Sequence, residues 1–205
     1  GEREKERPGA RHTKILKRHA IPWPSGPRHT IFLASSARSG STWIMETINA
    51  RNDFRLIFEP FWAERMPLCR HFLPRQYLRV DVDDPKHVVP ARTIITGGFR
   101  NKWADAHTKR IFCRRRLIKD IRTNLILGWL ARQFPEMRLI LLLRHPCAVA
   151  HSKIQVQWRI DPNRRGAGQI EHFLAQPTLV DDFLDPYVSL MRSTTDTFQR
   201  FIIGW

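Results

Sequence analysis

The 205-residue sequence predicts a three-layer α/β fold, with a central, mainly parallel sheet flanked by helices. Three observations point there. Short apolar runs alternate with stretches of helical spacing along most of the chain. The run "LILLL" is continuously apolar, as in a parallel strand buried on both faces. And "IFLASSARSGSTWIMETINA" (residues 31–50) passes from a strand through a small-residue turn into an amphipathic helix, which is how a phosphate-binding loop is built. The fold expected is therefore P-loop-like.

The elements follow in order. Residues 1–28 carry many charges of both signs, with Pro and Gly near the end, and read as a basic flexible arm with one short helix near residues 14–19. From His29 the pattern changes. "TIFLAS" is a strand, bounded by Pro27 and the Ser/Gly turn, and "STWIMETINA" is a helix. "FRLIFEP" reads as a second strand, closed by Pro60. "ARTIITGG" reads as a third strand or an edge piece, closed by Gly97 and Gly98. "RRLIKD" is a fourth, followed by a helix over "NLILGWLARQF". "PEMRLILLLRHP" supplies the most buried strand. "PCAVAHSKIQV" is a helix with Pro146 in its first turn, where a missing N–H does no harm. At the end, Tyr187, Leu190, Met191, Thr194, Phe198, Phe201, Ile202 and Trp205 form one wide helical stripe. The chain stops on that apolar face, so further chain is expected to complete the domain.

Composition bounds the partners. Hydrophobic content of 42% with 26% charged residues suits a folded domain. A formal charge of +16 calls for an anionic partner: nucleic acid, a membrane surface or a small polyanion such as a nucleotide. Cys69, Cys113 and Cys147 are widely spaced, with no metal-ligand pattern. No apolar run approaches the roughly 20 residues of a spanning helix.

The turn decides the chemistry. Free N–H groups and the positive end of a helix dipole attract an anion, and small residues let the backbone curl round it. Arg38, Ser39, Gly40, Ser41, Thr42 and Trp43 supply the turn and first helical residues. Against the nucleotide triphosphatase loop, Ser35 falls at the first glycine and Gly40 at the second. Ser41 stands in place of the lysine, and Thr42 matches the last hydroxyl. The missing lysine speaks against triphosphate hydrolysis. The strand "LILLL" is followed by Arg144, not by a metal-binding aspartate. A cation there repels a metal and invites a second anion. Ser152 lies two helical turns further on. The ligand expected is a nucleotide with two separated anionic groups, bound with no metal.

"ARSGSTW" with "LLLRHPCAVAHS" resembles the sulfotransferases that use 3′-phosphoadenosine 5′-phosphosulfate (PAPS). The likeness covers roughly residues 30–154, and "FEPFW" is similar to the carbohydrate and bacterial-type branch. The resemblance implies a sulfotransferase domain over residues 29–205, incomplete at its C-terminus. It implies PAPS as donor, with the loop on the 5′-phosphosulfate and with Arg144 and Ser152 on the 3′-phosphate. The acceptor is then a hydroxyl or an amine, with carbohydrate one candidate class, and no nucleic-acid partner is expected. Proteins of this kind occur in the bacterial cytoplasm and in the secretory (Golgi) lumen.

A hydroxyl acceptor must lose a proton, and Glu59, at the second strand tip, is the candidate catalytic base. The competing role for Glu59 is an ion pair with an arginine. Lys119 stands at another strand tip, as a donor or acceptor contact or as a surface group, and Asp120 beside it either orients that lysine or begins the following helix. Two other readings of the whole chain remain: a degenerate P-loop kinase or NTPase, and a basic nucleic-acid-binding module.

Overall fold

The computed structural model describes residues 25–110, 112–156 and 167–205. Most of the expected basic arm, including its short helix, lies outside the described residues. In chain order the elements are β1 (Thr30–Ser35), α1 (Ser41–Ile48), β2 (Phe54–Phe58), α2 (Pro85–Thr96), β3 (Arg115–Asp120), α3 (Leu127–Gln133), β4 (Arg138–Leu142) and α4 (Pro146–Gln155). Short helices follow: α5 (Ala167–Leu174), α6 (Pro177–Leu179), α7 (Val188–Ser193) and α8 (Thr197–Ile203).

The four strands form one sheet in the order β2-β3-β1-β4, and every pairing is parallel. Leu33 of β1 stands between Lys119 of β3 and Ile140 of β4. Alternation along the strands feeds two cores. Phe32, Ala34, Ile57 and Ile118 pack with Ala91, Ile94 and Ile95 of α2 and with Trp129 and Leu130 of α3. Leu33, Leu56 and Leu117 pack with Met45 of α1. Helices thus cover both sheet faces, and all four strand C-termini share one edge, where a parallel α/β sheet presents ligands.

Two arginines lie in the sheet itself. Arg55 and Arg116 are register partners on β2 and β3, and both are buried. Arg55 is paired with Asp105 at 2.7 Å. Arg116 has only neutral acceptors: Thr30 Oγ1, Ser25 Oγ and the carbonyls of Ile95, Ser25 and Gly26. Burial, then the Arg55 charge, pushes Arg116 down to about 10. These bonds fasten residues 25 and 26 to the sheet, so the anchored chain begins before His29.

Three sequence expectations are overturned. The segment "ARTIITGG" is the end of helix α2, not a strand. Asp84 caps that helix by accepting from the Lys86 N–H, and Pro85 opens it. Gly97, at φ 77°, closes it, with Gly97 N–H donating to Ile94 O and Gly98 N–H to Thr93 O. Second, β4 is an edge strand rather than the most buried one: it pairs only with β1, and Ile140, Leu141 and Leu143 are exposed. Among the described residues no strand covers its free edge. Third, the C-terminal stripe is broken. The backbone turns extended at Thr194, and Asp196 starts α8 by accepting from the Gln199 N–H. Met191 and Phe201 are buried, whereas Tyr187 and Leu190 are exposed.

Candidate functional site

Four segments meet at the strand tips: the loop after β1, the turn after β2, the turn after β3 and the start of α4. The loop contains two residues in the left-handed region, Arg38 at φ 70° and Gly40 at φ 86°. A Cβ on Gly40 would meet nothing within 4 Å, so it is the backbone angle that calls for glycine. Gly40 caps α1 without a side chain, and no acidic residue lies in the first turn. The leading N–H groups of α1 are therefore not capped by any side chain. Ser41 is buried in that turn, while Thr42 and Trp43 are exposed, Trp43 at 68%.

Around the loop lie buried hydroxyls with no hydrogen-bond partner. Ser35 Oγ, Ser39 Oγ and Thr123 Oγ1 are all in this state, as is the amide oxygen of Asn124. Asn124 Nδ2 reaches Ser36 Oγ at 3.4 Å, which ties the β3–α3 turn to the loop. Buried polar atoms are seldom left unpaired, and among the described residues several that lack a partner lie at this loop and at the β3–α3 turn.

The cations distant in sequence converge here. Arg144, just past β4, donates from Nη1 to the Arg38 carbonyl at 2.9 Å. Arg38 Nε donates to Ser152 Oγ of α4 at 3.2 Å. Among the described residues neither arginine is paired with a carboxylate. One residue beyond Ser152, Lys153 is buried, with its ammonium 4.9 Å from the Phe201 ring centroid. Burial, then the Arg75 charge, pushes Lys153 down to about 8.

Glu59 is in different company. It is buried at the tip of β2 with φ 44°, which breaks the strand alternation. Its Oε1 accepts from Lys119 Nζ and its Oε2 from Arg122 Nη1, each at 2.6 Å. Lys119 also lies 4.5 Å from the Phe58 ring and Arg122 4.2 Å from the Trp62 ring. Asp120 is wholly buried and accepts from the Phe61 and Arg122 N–H groups. Burial raises its pKa. It neither orients Lys119 nor begins a helix: it ties the turns after β2 and β3 together.

No protein-family model, curated protein or solved structure matches the chain. The reading of the site therefore rests on its own geometry. Among the described residues no group of three or more His, Cys, Asp or Glu side chains is placed to hold a metal ion, and no helix is long and apolar enough to cross a membrane.

Beside the loop opens a cleft of about 280 Å³, lined by Ala37 of the loop, Phe61, Phe72, Arg75, Arg122 and His172 among others. Sequence reasoning had missed Arg75, Arg122, Thr123 and Asn124. The last three were findable: they directly follow a strand tip in "KDIRTN", where a parallel sheet collects ligand-binding groups.

Proposed function

We propose that the protein is a sulfotransferase that takes its sulfuryl group from PAPS. The observation that carries the reading is the meeting of Arg38 with Arg144 and Ser152, each more than a hundred residues away from it in sequence, beside an uncapped helix start. A helix start joined to two arginines and a serine hydroxyl suits a ribonucleotide that carries more than one anionic group. The N–H groups of Gly40, Ser41 and Thr42 and the unpartnered Ser39 hydroxyl would face the 5′-phosphosulfate. Arg144 and Ser152 would hold the 3′-phosphate, with Arg38 between the two groups. The P-loop-like layout belongs to the same proposal.

In the transfer, an acceptor oxygen bonds to sulfur as the bond from sulfur to the bridging phosphate oxygen breaks. The electron pair stays on the 5′-phosphate of the departing adenosine 3′,5′-bisphosphate, where the loop donors stabilise it. The acceptor proton passes to Glu59. Each oxygen of Glu59 already accepts one cationic donor and keeps another lone pair for that proton.

A magnesium-dependent phosphotransferase has less support. Ser41 stands in the lysine position, and both Asp120 oxygens already accept backbone N–H groups. Thermal unfolding separates the readings. Adenosine 3′,5′-bisphosphate in chelator should raise the melting temperature, while ATP with magnesium and duplex DNA should not. Stabilisation by ATP only when magnesium is present would overturn the proposal.

A further inference from the structure

The cleft borders the loop at Ala37. Ala37 lines it, whereas Arg38, Arg144 and Ser152 do not. Phe61, Phe72, Leu73 and Pro74 give it an apolar wall. Arg75 and Arg122 supply its cations, and Glu64, an exposed residue, also lines it. The two arginines differ. Arg122 is neutralised by Glu59 at 2.6 Å. Among the described residues Arg75 makes no ion pair. The nearby carboxylate of Asp120 is already held by two N–H groups. Its other charged neighbours are the cations Arg122 and Lys153.

Arg75 is also held in place by design of the backbone. It has φ 55°, a left-handed angle that a side chain with a Cβ adopts at a cost. The buried Gln176 fixes that turn: its Nε2 donates to the Arg75 carbonyl at 3.1 Å, and its Oε1 accepts from the Tyr77 N–H at 2.7 Å. Arg79 and Tyr77 then both donate to Asp182. The left-handed turn, braced by Gln176, places Arg75 at an open cleft with an apolar wall, and among the described residues no carboxylate pairs with its guanidinium. That arrangement fits an anion better than it fits water.

We propose that this cleft is the acceptor subsite and that Arg75 binds an anionic group, a carboxylate or a sulfate, that the acceptor already carries. The proposal rests on the sulfotransferase reading for the word acceptor, but the anion preference stands on the cleft alone. Arg75 is then a specificity residue, and the proton chemistry stays with Glu59.

Calorimetric titration of the full chain tests it, with D-glucuronate, D-glucose 6-sulfate and neutral D-glucose as probes. Each is titrated alone and with saturating adenosine 3′,5′-bisphosphate. Both anionic sugars should bind about tenfold or more tightly than glucose, with or without the bisphosphate. Preference for only one of them identifies the anion the cleft selects and still supports the proposal. Arg75→Asn, whose side chain tolerates a left-handed backbone, should remove the preference and leave bisphosphate affinity unchanged. Arg75→Lys should restore part of it. Equal binding of all three sugars would overturn the proposal, as would a preference that survives Arg75→Asn. Displacement of the anionic sugars by the bisphosphate would also overturn it, by placing Arg75 in the donor site. A failure of the bisphosphate to bind wild type sinks the donor reading instead, and the sugar preference is then read without it.

Discussion

The two halves of the strand-tip edge treat charge in opposite ways. On the β2–β3 half, Glu59 is held by Lys119 and Arg122, and Asp120 by two N–H groups. On the β1–β4 half, among the described residues, Arg38 and Arg144 have only a hydroxyl and a carbonyl as acceptors, and the hydroxyls of Ser35 and Ser39 have no partner. The chain is able to satisfy an arginine even in its interior, as Arg116 proves with five neutral contacts. The deficit on the β1–β4 half is therefore local. The contrast supports the proposed reading, in which the open half receives an anion and the partnered half holds Glu59 in place.

If that contrast holds, substitutions in the partnered regions should cost stability, and those in the open half should cost binding. The largest effect is expected at the buried pair that anchors β2. Asp105→Ala leaves Arg55 uncompensated and should lower unfolding free energy in urea by about 3–5 kcal/mol. A loss under about 1 kcal/mol would show that the pair is not a stability element. Next comes Glu59→Gln, expected to destabilise by about 1–3 kcal/mol, since it weakens two charged hydrogen bonds in a buried place. The same variant sharpens the catalytic assignment. As the base, Glu59 should lose about 10²–10⁴ in kcat with KM for the acceptor little changed. A raised KM at constant kcat would make it a positioning residue for Arg122.

Smaller still is Arg38→Gly. Relief of the left-handed backbone should stabilise the fold by about 1 kcal/mol while weakening bisphosphate binding. Destabilisation would contradict the assignment of Arg38 to the open half. The smallest effect concerns pH. Burial, then the Lys86 charge, holds the His87 imidazole below its usual 6.5. The unfolded chain then binds the proton more readily, so this contribution is complete above about 6.5 and is lost as pH falls from there towards the folded value. His87→Phe, which keeps a ring against Phe72, should flatten the difference between pH 7 and pH 5 melting temperatures. An unchanged slope would remove His87 as its source.

Much of this arrangement was legible in the sequence. β1, β2 and the loop stood out because strand runs ended in Ser or near Pro, β3 because an apolar pair sits just before a helical stretch, and the Arg144–Ser152 spacing placed both groups near the loop. "ARTIITGG" misled because its apolar residues suit either period over so short a window. Asp84 and Pro85, which settle it as a helix, lie before the segment. "LILLL" misled because a continuous apolar run specifies apolar surroundings, not which element provides them. The stripe at 187–205 concealed the break that Asp196 makes by capping a new helix. Arg75 was invisible because its place depends on Gln176, about a hundred residues away. No local pattern encodes such a brace.

The most direct test is calorimetric titration of adenosine 3′,5′-bisphosphate into wild type and Arg144→Ala in the presence of EDTA. The account predicts metal-free binding by wild type, a loss of at least about tenfold in Arg144→Ala, and unfolding free energies that agree to about 0.5 kcal/mol. Equal affinity in the two proteins, or wild-type binding only after a divalent cation is restored, would contradict it.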